Sequence, residues 1–143
     1  MAQRGCTIAA GVRGDVWRGA GMGFSIRVAE SRKYIVCRVL GPFTVDYART
    51  FTIELDRISR AEKIKRFLTD VRNAANISST TENYRFAYED MPRLDLQRDV
   101  RAATLASPGD RSHDFIKTVA QNAGYNVQLF FDEAAAVAWL CED

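Results

Sequence analysis

Three adjacent residues carry the side chains of a hydrolytic triad: Ser112, His113 and Asp114. His113 is the only histidine in the chain. In such a triad the histidine takes the serine proton while the carboxylate holds the other side of the ring. The hydroxyl must lie about 2.6–3.2 Å from the ring. Consecutive helical side chains diverge by about 100°, so these three point in different directions. We therefore predict that the trio is not catalytic and that the chain is not an enzyme.

The same stretch has the signals of a helix start. Ser112 is a favoured N-cap residue, and a carboxylate at Asp114 complements the positive end of the helix dipole. Gly124 fits the position just beyond the last turn. One helix face would carry Phe115, Val119 and Ala123.

Metal and membrane sites lack suitable residues. Cys6, Cys37 and Cys141 are far apart and form no CxxC pair, and one histidine cannot build a His-rich site. We therefore predict no metal and no other cofactor. No apolar run approaches the roughly 18–20 residues of a membrane span. Free thiols and the absence of a predicted span indicate a cytoplasmic protein.

Charge gives little support for nucleic-acid binding. The net charge is +2, with 20 Lys and Arg against 18 Asp and Glu. Residues 1–33 carry six cations and two carboxylates, but these cations are scattered and no aromatic ladder accompanies them. We do not expect a nucleic-acid partner.

The glycine content and the periodicity of the sequence change after residue 23. Residues 1–23 hold six of the nine glycines and show no period, so we interpret them as a disordered or loosely ordered leader. Residues 24–143 are regular enough for a single domain. Alternation and β-branched residues there predict five strands, at 24–28, 34–40, 64–71, 99–107 and 125–131.

Helical patterns lie between and after these strands. Thr44 is a good N-cap for a helix of about 15 residues, and residues 132–140 form a closing helix. The element order is therefore ββαβαβαβα. Helices between successive strands force parallel pairing. The fold class is α/β, with a mixed, mostly parallel five-stranded sheet.

The second helix begins with a capping-box signature. Ser79 is followed three residues later by Glu82, so hydroxyl and carboxylate each satisfy a free amide. The spacing predicts a buried stripe on this helix. Its members are Tyr84, Ala87, Tyr88 and Met91. Phe86 falls on another face and is a candidate exposed contact.

Three pieces together resemble the STAS domain, the fold of anti-sigma-factor antagonists, and more closely the bacterial STAS/SEC14-like group. They are "VLGPFT", "FLTDVRNA" and "DRSHDFIKTVAQNAGYNVQLFFDEAAAVAWL". The resemblance covers residues 24–140. It implies a regulatory module that binds a protein partner, either kinase-like or sigma-factor-like, through the loop after the third predicted strand.

The resemblance also implies a phosphorylation switch. The family's Asp-Ser-Ser-Gly motif falls on residues 78–81, with Thr80 at the switch position and Ser79 beside it. Ser78 replaces the acidic residue and Thr81 replaces the glycine. A phosphate there would add about −1.5 to −2 charge at a helix N-terminus. The alternative is that Ser79 and Thr80 only cap the helix.

Ligands of doubly wound sheets gather at the carboxyl ends of parallel strands. Loops at 41–44, 73–81 and 107–112 should share that rim. Arg72, Arg111, Ser112 and His113 are then candidates to meet a partner or a small anion. Alternatively, Arg111 pairs with Asp110 or Asp114 in solvent.

These observations favour a non-enzymatic cytosolic regulatory module that binds a protein partner through the loops after its parallel strands, with phosphorylation as its control. The alternative is a SEC14-like carrier. In that case a lipid or small ligand would lie between the sheet and a mobile helix, with "YRFAY" (84–88) as the lid.

Overall fold

The computed structural model describes residues 16–18 and 23–142. One sheet holds six strands in sequential order: β1 (Val16–Arg18), β2 (Phe24–Val28), β3 (Ile35–Leu40), β4 (Arg66–Asn73), β5 (Arg101–Leu105) and β6 (Val127–Phe130). The helices are α1 (Val45–Glu62), α2 (Thr80–Arg85), α3 (Met91–Arg93), α4 (Asp114–Asn122) and α5 (Glu133–Leu140). A π-helical turn, Phe86–Asp90, joins α2 to α3.

The α/β class and the mixed sheet are confirmed. Strands β1, β2 and β3 pair antiparallel, and β3 to β6 pair parallel. All five predicted strands form, with ends shifted by at most two residues. The sheet gains a sixth strand because Val16–Arg18, within the predicted leader, pairs with β2. Apart from these residues and Gly23, the leader lies outside the described residues.

The strand order decides where the helices lie. Each strand neighbours its successor, so right-handed crossovers place the connecting helices on one face of the sheet. There Phe51 and Leu55 of α1 belong to the same buried cluster as Phe67 and Val71 of β4. On the other face, α5 buries Val137 and Leu140 in a separate cluster.

Helix α1 begins as predicted. The Oγ1 of Thr44 accepts a hydrogen bond from the N–H of Tyr47 at 3.1 Å, and Asp46 lies in the first turn. The helix has 18 residues and ends at Lys63, whose φ of 59° is left-handed. Its buried positions recur mostly at three- and four-residue spacing, so one face of the helix packs on the sheet.

The predicted buried face of the second helix is confirmed at Ala87 but wrong at both tyrosines. Tyr84 is 53% exposed and Tyr88 is 37% exposed, whereas Phe86 is only 4% exposed. The π turn explains the difference, because the N–H of Met91 donates to the carbonyl of Phe86, five residues earlier. One extra residue in the turn brings Asn83 and Phe86 onto the face of Met91, where a regular helix would bring Tyr84.

The predicted start of α4 is also wrong. Its N-cap position is His113 and not Ser112, so the helix begins one residue later than expected. The face that packs on the core rotates accordingly. Val119 and Ala120 are buried with Ile116 partly so, while Phe115 is 38% exposed. Gly124 follows the helix with a φ of 98°, as the sequence predicted.

Candidate functional site

The loops after β3, β4 and β5 meet at the carboxyl edge of the parallel strands. Phe43 and Asn76 form an isolated parallel bridge, and the N–H of Ile77 donates to the carbonyl of Phe43 at 2.9 Å. The N–H of Asn76 donates to the Oγ of Ser112 at 2.9 Å. These bonds join the three loops into one rim, which follows from the parallel pairing of their strands.

Ser112, His113 and Asp114 do not meet one another at this rim. The Ser112 hydroxyl is engaged with Asn76, and Nε2 of His113 bonds to the carbonyl of Ala74 at 2.8 Å. Asp114 forms an ion pair with Arg111. The three side chains therefore face different partners, although only Asp114 lies within the helix, and no serine–histidine hydrogen bond forms.

The two predicted rim arginines do not converge. Arg111 is paired with Asp114, which is one of the alternatives that the sequence left open. Arg72 donates to both carboxylate oxygens of Asp70, at 3.0 and 2.8 Å, and also to Glu133 of α5 at 3.2 Å. Arg72 is thus held on the face that α5 covers, away from the connecting helices.

Asp70 is the buried centre of that ion-pair cluster. Burial raises the pKa of its carboxyl group, but the hydrogen bonds and charge of Arg72, with the charge of Arg38, outweigh burial. The pKa of Asp70 therefore lies below its ordinary value, and the group is ionised near neutral pH.

Ser79 and Thr80 have different surroundings. The Oγ of Ser79 accepts from the N–H of Glu82 at 3.1 Å, and the Glu82 carboxylate accepts from the N–H of Ser79 at 2.7 Å. The predicted capping box is therefore confirmed. Thr80 is the first residue of α2 and is exposed, and its hydroxyl takes no part in the box.

Two asparagines that the sequence analysis missed organise the rim. The Asn76 side-chain amide donates to Oδ1 of Asn83 at 2.9 Å. The Asn83 amide in turn donates to the carbonyl of Ser79 at 2.9 Å. Asn83 is 4% exposed, so its amide satisfies polar groups inside the molecule. Asn83 is a polar residue on the buried face of α2, and this was the feature of the sequence that could have identified it. Regular helical spacing does not predict that face, because the π turn changes which residues form it.

A cavity of about 160 Å³ lies between the sheet and the connecting helices. We call it the helix–sheet cavity. Its floor is formed by alternate residues of three parallel strands: Phe67, Thr69, Val71, Ala102, Thr104 and Val127. Its walls include Phe51 and Leu55 of α1, Phe86 of the π turn and Ala120 of α4. The lining is therefore mostly apolar.

A few polar groups interrupt this lining. Thr69 and Thr104 are register partners on β4 and β5, so two hydroxyl-bearing side chains lie side by side in the floor. Gln97, in the loop before β5, also lines the cavity. Its backbone N–H and its side-chain amide donate hydrogen bonds to the Asp56 carboxylate of α1 at 3.0 and 3.3 Å. That loop is thus tied across one side of the cavity.

His113 links the rim to the cavity. Its ring lines the cavity, is 1% exposed and packs edge-to-face on Phe43 with centroids 5.0 Å apart. Burial lowers the pKa of His113 below 6.5, and the bond to Ala74 and the charges of Asp110 and Asp114 offset this only in part. The ring is neutral, and because a carbonyl oxygen only accepts, Nε2 carries the hydrogen.

Comparison of the chain with known protein families and with curated proteins finds no match. No helix within the described ranges is long and apolar enough to span a membrane. Residues 16–18 and 23–142 also contain no group of three or more His, Cys, Asp or Glu placed to hold a metal ion.

Proposed function

We propose that the chain is a non-enzymatic binding module whose ligand is a small, mostly apolar molecule. The observation that carries this proposal is the helix–sheet cavity of about 160 Å³. A dry core cavity of about 150 Å³ lined by Leu, Ile and Phe is large enough to bind benzene. The ligand is therefore a ring or short chain of roughly six to ten heavy atoms.

The position of the cavity supports this proposal. Side chains from the sheet lie on one side and side chains from the helices on the other, so a bound apolar group would gain dispersion contacts from both layers.

The polar groups in the floor suggest what the ligand carries. Thr69 and Thr104 are neighbouring hydroxyl-bearing residues in a floor that is otherwise apolar, while Lys117 and Asp56 lie elsewhere in the lining. A ligand with one hydroxyl or one ring nitrogen would find hydrogen-bond partners in that floor. A full-length lipid exceeds the cavity, so a lipid cargo would require α2 and the π turn to move.

The experiment combines native mass spectrometry of protein purified from its host with thermal unfolding in benzene, phenol and benzoate. We expect a small neutral molecule to co-purify, and benzene and phenol to raise Tm. Ligand at about 100 times Kd adds about 2.7 kcal/mol of stability, which is a shift on the order of 10 °C. Benzoate tests whether the Lys117 ammonium in the lining also accepts an anionic ligand.

A cavity-filling variant makes the test specific. Ala120→Leu adds three carbons to the α4 wall, so it should abolish the benzene shift while keeping or raising the Tm of the unliganded protein. Ala102→Leu fills the same space from the floor if the first variant folds poorly. Ala138→Leu lies on an exposed position of α5 and should retain the benzene shift. Equal shifts in all three variants would refute the cavity as the site.

A second candidate function is favoured by an exposed stripe on α2. Thr80, Tyr84 and Tyr88 recur at four-residue spacing, the two tyrosine rings are 4.7 Å apart, and Ile77 beside them is 65% exposed. We call these four residues the α2 stripe. They support docking of a protein partner at the rim, as expected for a STAS-like cytoplasmic regulator. Thr80 is the candidate for phosphorylation because Ser79 is engaged in the capping box.

The second candidate has its own test. A kinase-like or sigma-factor-like protein captured from the host should be lost with Thr80→Glu, because the added charge would repel an acidic or apolar surface. Thr118→Glu, an exposed position on α4, is the matched control and should retain capture. Benzene binding in the cavity should be unchanged by either variant. Equal capture by both variants would contradict a switch at Thr80.

A further inference from the structure

The edge of the sheet opposite the rim carries a basic groove of about 600 Å³. It lies at the amino ends of the parallel strands, where four separate loops meet. Seven cationic side chains line it: Arg32, Lys33, Lys63, Lys65, Arg66, Arg98 and Arg101. Parallel strands bring their amino ends to one edge, so cations that are far apart in sequence become neighbours.

The groove holds more positive charge than its surroundings neutralise. Two carboxylates pair with these cations: Asp99 with Lys65, and Glu62 with Arg32 at 2.9 Å. Seven cations less two carboxylates leave an excess of five, which is larger than the net charge of +2 of the whole chain. The rest of the sequence is therefore net negative.

Helix ends account for only part of this excess. Arg66 donates to the carbonyl of Leu140 at 2.7 Å and Arg101 to that of Trp139 at 2.8 Å, both at the end of α5. Arg98 donates to the carbonyl of Ala123 after α4 at 2.8 Å. Each helix C-terminus is equivalent to about half a negative charge. The C-termini of α1, α4 and α5 together supply about 1.5 negative charges, so an excess of about 3.5 positive charges remains.

Stability alone does not explain the clustering. Arg66 and Arg101 are direct register partners on adjacent strands, about 4.8 Å apart, where like charges destabilise a sheet. Lys33 and Lys63 form no ion pair with any residue in the described part of the chain. Their ammonium groups are therefore available for an anion that enters the groove.

We propose that this groove binds an oligophosphate group. Lysine and arginine both pair with phosphate oxygens through charge-assisted hydrogen bonds. The volume lies within the range of about 300–1,000 Å³ that is typical of small-molecule sites. The groove is shallow and open, so a phosphate chain can enter it from solvent.

The aromatic residues beneath the groove argue against single-stranded nucleic acid. Bases need open aromatic faces on which to stack. Here the Arg98 guanidinium lies 4.2 Å from the ring centroid of Tyr125, and that of Arg101 lies 5.3 Å from the ring centroid of Trp139. The arginines occupy these faces, so the groove offers phosphate contacts without a platform for bases.

The test is isothermal titration of the full chain with inorganic triphosphate and with ATP, at about 50 mM and about 200 mM salt. We expect saturable binding that weakens with salt. Lys33→Gln combined with Lys63→Gln should lower the affinity about ten-fold or more. The control is Arg57→Gln with Arg85→Gln, two exposed cations outside the groove, and it should change the affinity less than about two-fold.

The arms of the titration distinguish the sources of phosphate. Equal binding of both ligands means that the phosphate chain is recognised wherever it is attached, and binding of ATP alone assigns a nucleotide. The proposal is overturned if neither ligand saturates, or if both double variants lose affinity equally. It is also overturned if a ten-nucleotide single strand or phosphatidylserine vesicles bind the chain and triphosphate fails to displace them.

Discussion

The Oγ of Ser112 accepts a hydrogen bond from the backbone N–H of Asn76 at 2.9 Å. This bond joins the loop before α4 to the loop before α2, so a residue that resembles a nucleophile serves as a connection between loops. The neighbouring ring of His113 bonds to Ala74 in the same loop. Two adjacent residues thus fix the rim that positions α2 and one end of the helix–sheet cavity.

We predict that Ser112→Ala lowers the free energy of unfolding by about 1–2 kcal/mol, because the partly buried N–H of Asn76 loses its acceptor. Urea unfolding measures the change. Ser31→Ala is the control, since the Ser31 hydroxyl accepts from Lys33 in an exposed turn and its loss should cost less than about 0.5 kcal/mol. Equal costs in the two variants would show that the connection between the loops contributes little.

His113 predicts a pH dependence of stability. Its pKa is lowered in the folded protein, mainly by burial, whereas in the unfolded chain it lies near 6.5. Below pH 6.5 the unfolded chain binds the extra proton, so stability is fully present above that pH. It falls as the pH drops towards the folded pKa, by up to about 1.4 kcal/mol per pH unit.

The measurement compares urea unfolding of the protein and of His113→Gln at pH 7 and at pH 5.5. A glutamine amide can still donate to Ala74, but it does not titrate in this range. The parent protein should lose more stability than the variant across this interval. Carboxylates such as Asp70 titrate in both proteins and cancel in the comparison. Identical losses would mean that the pKa of His113 is the same in the folded and unfolded states.

The sequence predicted local features of the fold but did not predict the π turn. Local hydrogen bonds could be predicted at two helix starts, since the caps at Thr44 and Ser79 each form with a backbone amide nearby in sequence. Strands were readable for the same reason, because their alternation is a local property. The buried face of α2 could not be predicted in this way. One extra residue in the π turn rotates every residue before Met91 about the helix axis.

The basic groove could not be predicted either, for a different reason, and a ligand space between sheet and helix was expected only from the SEC14-like resemblance. Lys33, Lys63 and Arg98 are about thirty or more residues apart, so a count along the chain found only a scattered basic segment near the N-terminus. The sheet brings them together at one edge. The cavity likewise depends on how the layers pack, and apolar periodicity predicts which residues are buried without predicting the space left between them.

Substitution of Phe86 and of Tyr84 tests which side chain the π turn buries. Phe86→Ala should cost about 3–5 kcal/mol of unfolding free energy, because a buried ring is removed beside an existing cavity. Tyr84→Ala should cost less than about 1 kcal/mol, since the ring is half exposed. A regular helix would give the opposite order. Thermal unfolding of the two variants is sufficient, and a larger cost at Tyr84 would contradict the π turn.

If the helix–sheet cavity is the ligand site, the Thr104 hydroxyl should determine which ligands bind best there. Thr104→Val keeps the shape of the floor but removes one of the two neighbouring hydroxyls. We expect phenol to lose about 1 kcal/mol of binding free energy, roughly five-fold in Kd, because one hydrogen bond is lost. Benzene has no group to lose and should bind the variant at least as well.

Titration calorimetry with both ligands gives the ratio of the two affinities, which cancels any general change in folding. Thr118→Val, at an exposed position on α4, should leave that ratio unchanged. If phenol and benzene weaken together in Thr104→Val, the hydroxyl acts on the packing of the floor and not on the ligand. If neither changes, the small molecule lies elsewhere in the cavity, nearer to His113.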